Sequence, residues 1–220
     1  MSLELLNILK SNGAYKSTSY TKNEAIIHKG DIATHLYVII NGSVKISCLH
    51  RNGQEVILVL LNQNQTFGGN GAFHDLDTNY IFKSVIETTV IEIYCMDDIY
   101  EMIKKNHNLQ RELFRIWGEK YTMLEQRIRV LNIKSTLLRF IEVLMEFKEK
   151  FGYSCPDTNE IIINSPLDQE GIANYIRTTR VSVNTIIHQL KYASLIEYEK
   201  QKIVLKNDFF EHYKSIAYNL

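Results

Sequence analysis

Net charge, proline, cysteine and long apolar runs are all scarce in this 220-residue chain. Its 25 Lys plus Arg are matched by 25 Asp plus Glu, so bulk electrostatics single out neither nucleic acid nor a membrane surface. The portion from Lys134 onward is neutral by itself, with eleven residues of each sign. Any affinity for DNA must therefore come from a local arrangement of charge. Two prolines argue against long extended linkers. Cys48, Cys95 and Cys155 are too few and too scattered for a disulfide framework or a cysteine-ligated zinc or iron–sulfur site. Cys48 and Cys95 lie in apolar, strand-like runs and are expected as inert core thiols. Nothing basic lies beside Cys155 in sequence, so no redox role is expected of it. No apolar run approaches the roughly 18 residues that suggest a membrane span. The opening stretch has an acidic Glu4 and no basic segment before its short apolar run, which reads as an amphipathic helix and not a secretion signal. A reduced, cytoplasmic setting is the expectation.

Length and the 45% apolar content allow two modest domains. From Tyr15 to about Tyr94 the chain is rich in β-branched and aromatic residues. Ile26-Ile27, Leu36 to Ile40, Val44 to Ile46, Val56 to Leu61 and Val90 to Tyr94 read as strands. Asn52-Gly53 is a strong hairpin signal, because both central residues of a type I′ turn need φ > 0, and Asn41-Gly42 is a second. Many short strands with frequent turns predict a rolled or closed antiparallel sheet. Gly68-Gly69-Asn70-Gly71 interrupts them with a loop that lets backbone approach a ligand closely or simply bends a sheet corner. His74 beside Asp75 lacks ligand spacing, so no metal is expected there.

Asp97 is expected to cap a helix that breaks around Asn106 to Asn108. A longer helix follows from Leu109 to about Leu131. Along it Phe114, Trp117, Tyr121, Leu124, Ile128 and Leu131 recur at alternating spacings of three and four. That 3.5-residue average describes a coiled-coil seam, a dimer interface between two copies. Leu109, Leu113 and Ile116 form a second apolar face suited to the sheet. Asn132 is a plausible cap for the next helix, whose core stripe is Thr136, Leu137, Phe140, Ile141, Leu144 and Phe147. Gly152 to Asp157 reads as a loop, and Glu160 to Ile163 as a short strand.

Asp168 can cap a short helix carrying Ile172, Ala173 and Ile176 on one face. After Arg177-Thr178-Thr179 a second helix offers Val181, Val183, Ile186, Ile187 and Leu190 as apolar positions. Two short helices with so brief a break suggest a helix-turn-helix, whose second helix fits a DNA major groove. Ile196 to Glu199 and Ile203 to Leu205 alternate around Lys200-Gln201-Lys202, a hairpin with a basic tip. Phe209-Phe210 and Tyr213 are expected to pack back on this domain.

The succession HKGDIATHLYVIINGSVKI (His28 to Ile46), then NGQEVILVLLNQNQTFGGNGAF, then the helix-turn-helix resembles the CRP/FNR family of bacterial transcription regulators. The resemblance covers nearly the whole chain in the family's order. It implies an α+β fold: an N-terminal antiparallel β-roll of the double-stranded β-helix or jelly-roll type over residues 1–108, a dimerisation helix over 109–131, and a winged helix-turn-helix over 132–220. It implies a homodimer that is no enzyme, binds double-stranded DNA at a near-palindromic operator, contacts RNA polymerase and takes a small-molecule effector in the roll. Effector-binding candidates are Gly68, Gly69, Asn70, Gly71, Asn79 and Tyr80, with Tyr121 and Thr122 on the long helix where family members reach the nucleotide. The family's ribose-binding glutamate falls near Asn70, and its phosphate-binding Arg-Ser pair falls near Asn79-Tyr80. Neither replacement supplies a cation, and an uncompensated buried phosphate is costly, so the effector is expected not to be cyclic AMP. No other cofactor and no metal are expected.

The expected DNA contacts are Gln169, Thr178, Thr179, Arg180, Val181, Ser182, Asn184, Thr185, Lys200 and Lys202. Thr178 and Thr179 suit phosphates. Arg180 suits bidentate contact to guanine, Val181 a thymine methyl or the core, and the lysines suit phosphates at the wing. A second arginine common in the family is Thr185 here, and the turn glycine is Arg177. The rival readings are a cupin-like β-barrel metalloenzyme and a ligand-sensing module without DNA binding. The first needs clustered histidines, and His28, His35, His50 and His74 show no such pairing. The second leaves the helix pair and wing unexplained.

Overall fold

The computed structural model describes residues 3–12, 14–31, 34–51, 53–69, 80–86 and 88–217. They form two compact units, Met1–Arg127 and Ile128–Leu220, divided inside one long helix.

Among the described residues of the first unit a short helix, α1 (Leu3–Asn12), precedes eight strands: β1 (Tyr15–Thr21), β2 (Ala25–Ile27), β3 (His35–Asn41), β4 (Ser43–Leu49), β5 (Glu55–Asn62), β6 (Thr66–Gly68), β7 (Ile81–Ser84) and β8 (Thr88–Cys95). They make two four-stranded sheets with the orders β1-β8-β3-β6 and β2-β7-β4-β5, antiparallel at every pairing. Alternation along the strands builds two cores. Ile27, Ile39, Val44, Val59, Leu61, Phe67, Phe82 and Ile91 form one, with the Tyr37, Phe67 and Phe82 rings stacked at 4.9 and 5.2 Å. Leu36, Val38 and Tyr94 face the other way, where Leu9 joins them from α1 and Met96 and Ile99 from α2 (Met96–Lys105). Leu109, Leu113 and Ile116 of the long helix α3 (His107–Asn132) complete that second core.

Several local expectations are corrected. Asn41-Gly42 is no hairpin, since β3 and β4 belong to different sheets. Gly42, at φ 98°, instead carries the chain from one sheet to the other, against Thr89. A Cβ there would lie 2.5 Å from Thr89 Oγ1, so the close approach as well as the dihedral requires glycine. The hairpin expected at Asn52-Gly53 is present between β4 and β5, but its loop is longer than a two-residue turn. His50 N–H donates to Gln54 O at 2.8 Å, Gly53 N–H donates to His50 O at 2.9 Å, and Gly53 stands at φ 81°; Asn52 lies outside the described residues. Asp97 is not the cap of α2: Cys95 holds that position, and Asp97 sits in the first turn, where its charge favours the helix N-terminus. Asn106 caps α3, its Oδ1 accepting from the N–H groups of Asn108 and Leu109. Cys48 and Cys95 are half-buried, not core.

In the second unit α4 (Thr136–Phe151) buries Leu138, Phe140, Ile141, Val143, Leu144 and Phe147. Its cap is Ser135, whose Oγ accepts from Leu138 N–H, and not Asn132, which remains in α3 and donates its side-chain amide to Ile128 O. Gly152–Ser154, expected as loop, is a strand, β9, paired with β10 (Ile161–Asn164). The helices α5 (Gln169–Tyr175) and α6 (Arg180–Tyr192) follow, then β11 (Ile196–Glu199) and β12 (Lys202–Leu205), giving a sheet of order β11-β12-β10-β9. The tail forms a further helix, α7 (Phe209–Ala217), with Phe209 buried and Tyr213 Oη donating to Glu142 at 3.0 Å. Arg139 fastens the start of this unit to the helix pair. Its guanidinium donates to Ile133 O at 2.6 Å, to Lys134 O at 3.2 Å and to Ile176 O at 2.9 Å.

Candidate functional site

The helix pair is built from local hydrogen bonds that its sequence supplies. Asp168 stands extended at the start of α5 and accepts from Gly171 N–H at 2.7 Å. Ile176 N–H returns to Ile172 O and Thr178 N–H to Ala173 O, so the chain turns sharply after α5. Arg177 makes that turn in the left-handed region, at φ 53°. A residue with a Cβ is strained there by about 1 kcal/mol relative to glycine. Thr179 caps α6 by accepting from Ser182 N–H at 3.1 Å, so its hydroxyl is engaged in holding the helix start. Thr178 is half-buried beside it.

Helix α6 buries Val183, Ile186, Ile187 and Leu190 against its own unit. The opposite side exposes Arg180, Val181, Asn184 and Thr185, while Ser182 is half-buried. Val181 is 76% exposed, which removes the core alternative and leaves its methyls free for an apolar contact. Thr185 Oγ1 donates to Val181 O at 3.0 Å, so the hydroxyl offers an incoming base edge its acceptor side. His188, Gln189 and Tyr192 extend the same exposed side. None of the three is among the expected DNA contacts, although the helical spacing 181, 185, 188, 192 leads to His188 and Tyr192. At the wing Lys200 and Lys202 are exposed, and Lys200 turns the chain at φ 53°. Ser165 N–H donates to Gln201 O at 2.7 Å, tying the wing tip to the approach to α5. Gln169 is half-buried at the first position of α5.

Helix α3 has two unlike faces. Leu109, Leu113 and Ile116 are buried, and Arg127 joins them, its Nε donating to Leu58 O at 3.0 Å. On the other side Phe114, Tyr121, Leu124 and Ile128 are 58, 65, 49 and 61% exposed. Trp117 and Leu131 are half-buried, and the Trp117 ring meets Phe114 edge-on at 5.9 Å. A run of large apolar groups this exposed on one helix is unusual for a surface facing only water. Thr122 is also exposed.

Of the effector candidates, Gly68 and Gly69 are both left-handed, at φ 76° and 75°. A Cβ at Gly68 would lie 2.5 Å from His35 O and 2.7 Å from the Tyr37 ring, so the bend after β6 admits no side chain. Asn70, Gly71 and Asn79, with His74 and Asp75, lie outside the described residues. Tyr80 is exposed just before β7. Near the same edge of the roll, Leu61, Asn64, Gln65 and Thr66 face Ile116, Glu119, Lys120 and Met123 of α3 across a cavity of about 30 Å³. Burial alone pushes the Lys120 ammonium down to about 8. Among the described residues no three His, Cys, Asp or Glu side chains gather as metal ligands, and no helix is long and apolar enough to cross a membrane.

A β-roll leading through a long helix to a winged helix-turn-helix defines a DNA-binding transcription regulator with a cyclic-nucleotide-binding type of domain. Residues 17–106 match the cyclic nucleotide-binding domain family, and residues 138–207 match the Crp-like helix-turn-helix domain family. The chain belongs to the CRP/FNR family of transcription regulators and is not an enzyme. It is 26% identical over 188 residues to the global nitrogen regulator of Nostoc sp., across 85% of this chain and 83% of that protein. It is 25% identical over 187 residues to the cAMP-activated global transcriptional regulator CRP of Haemophilus influenzae, across 84% and 82% respectively. The structure of FixK2 from Bradyrhizobium japonicum has the same fold, with a TM-score of 0.76 at 18% identity over 90% of this chain and 96% of that one.

The strained turn generates a specific expectation. Arg177→Gly should raise the stability of the protein by about 0.5–1 kcal/mol, read as a higher melting temperature, whereas Arg177→Ala should leave it nearly unchanged. A drop on Arg177→Gly would show that the guanidinium stabilises the turn by more than its dihedral costs.

Proposed function

We propose that the protein acts in the cytoplasm as a homodimer that binds a near-palindromic DNA operator under the control of a small-molecule effector held in the β-roll, and that this effector is not cyclic AMP. The observation that carries the dimer is the exposed stripe Phe114, Tyr121, Leu124 and Ile128 on α3, continued by Trp117 and Leu131. Its 3–4 spacing suits left-handed packing against an identical helix, which would cover the apolar groups that the single chain leaves in water. Two-fold symmetry would then set the two α6 helices about 34 Å apart, one turn of duplex.

Arg180 is the side chain suited to read guanine O6 and N7. Val181 would touch a thymine methyl, with Ser182, Asn184 and Thr185 beside it. Thr178, Thr179, Gln169, Lys200 and Lys202 would hold phosphates. With Thr185 in place of a second arginine, the operator differs from the family's common target. Effector occupancy near Gly68, Gly69, Asn70, Gly71, Asn79 and Tyr80 would shift α3, on which Tyr121 and Thr122 lie, and so bias the dimer between two geometries. The absence of a cation at 79–80 supports an effector other than cyclic AMP. RNA polymerase is the further partner that the resemblance implies.

Leu124→Arg should convert the dimer to monomers by light scattering, because a charge would be buried unpaired in the seam. A dimer that persists would reject the seam. Calorimetric titration with cyclic AMP should give no binding in the micromolar range, and micromolar binding would overturn that part of the proposal.

A further inference from the structure

The inner face of α3 carries an anomaly that composition hides. Leu109, Leu113, Ile116, Lys120, Met123 and Arg127 advance by four, three, four, three and four, so two cations continue an otherwise apolar stripe. Arg127 spends its Nε on Leu58 O. Lys120 makes no ion pair among the described residues. Glu119, the one acidic residue among the described residues lining the same cavity, is bonded to Arg115. Across the cavity Thr66 is 4% exposed, and its Oγ1 has no hydrogen-bond partner. A buried hydroxyl without a partner and a half-buried ammonium without an ion pair line one small space, and the hydroxyl is costly unless something completes it.

Resting on the reading that the roll holds an effector, we propose that this cavity takes the anionic group of that effector, a carboxylate or a phosphate, with Lys120 as its counter-charge and Thr66 Oγ1 as a donor to it. The cavity's roughly 30 Å³ suits one such group and excludes a base or a sugar. The position of the cation is the informative point. The loop offers none at Asn79 or Tyr80, and the helix supplies one at Lys120, on the element that leads toward the DNA-binding unit. An anion drawn between Lys120 and Thr66 would fasten α3 to β6, giving the effector a direct hold on the helix.

The test uses the full-length protein melted in increasing sodium phosphate or sodium succinate, at ionic strength held constant with sodium chloride. At least one anion should give a saturable rise on the order of 5 °C. Which of the two does so distinguishes phosphate from carboxylate. The rise should vanish in Lys120→Met and persist in Lys120→Arg, and Thr66→Val should weaken the apparent affinity several-fold. Without anion, Lys120→Met should melt higher than the parent at pH 7, because a basic group whose folded pKa is depressed costs stability below its unfolded value. That gain should fade as pH rises toward about 10, where the unfolded lysine also loses its proton. No saturable rise with either anion, or the same rise in Lys120→Met, would overturn the site. Operator affinity measured in parallel separates this from the effector reading. An anion that binds through Lys120 without changing DNA affinity keeps the site and refutes control by it. An equal change in the parent and Lys120→Met keeps control and refutes the site.

Discussion

One helix carries two unlike faces at once, one buried on the roll and one apolar and exposed, and the arrangement around it follows from that constraint. Helix α3 advances about 100° per residue, so a repeat of three and four keeps each set of side chains on its own side. Leu109, Leu113 and Ile116 close the core that Leu36, Val38 and Tyr94 leave open, and this fixes the rotation of the helix on the roll. Once that rotation is fixed, Phe114, Tyr121, Leu124 and Ile128 have nowhere to go but outward. That outward apolar face is what the proposed homodimer rests on.

The two ends of the chain use polar groups differently. In the roll, polarity is mostly satisfied. Lys45 meets Glu55 at 2.8 Å, and Ser47 donates to the same carboxylate at 2.7 Å. Tyr94 Oη donates to Glu92, which also accepts from Lys10. Thr18 Oγ1 and Thr66 Oγ1 are buried exceptions, and only Thr66 lines the cavity with Lys120. The helix-turn-helix carries a strained turn. Arg177 occupies a left-handed turn position that glycine would fill at less cost, immediately before the helix that exposes Arg180 and Val181.

The strands of the roll were legible because alternation of apolar and polar residues leaves one pairing face, and the cap Asp168 because a carboxylate before a helical stretch can accept from its exposed N–H groups; Thr179, expected only at phosphates, also caps α6. Asn132 and Ser135 are both capping types three residues apart, and only the continuation of α3 decides between them. Asn41-Gly42 misled because a positive φ serves a crossover between sheets as well as a hairpin. Lys120 was invisible as a roll-facing residue, since a count of apolar positions passes over a lysine whose stem continues the stripe. His188 and Tyr192 lie beyond the turns that ordinarily read bases; helical spacing from Val181 reaches them, and the burial of Ile187 and Leu190 fixes that side as the exposed one.

The most direct measurement is the symmetry of the DNA that the full-length protein selects from a random pool. A homodimer joined along α3 predicts two inverted half-sites centred about 10–10.5 base pairs apart, each with a guanine opposite Arg180. A single asymmetric site, or half-sites at variable spacing, would contradict the account.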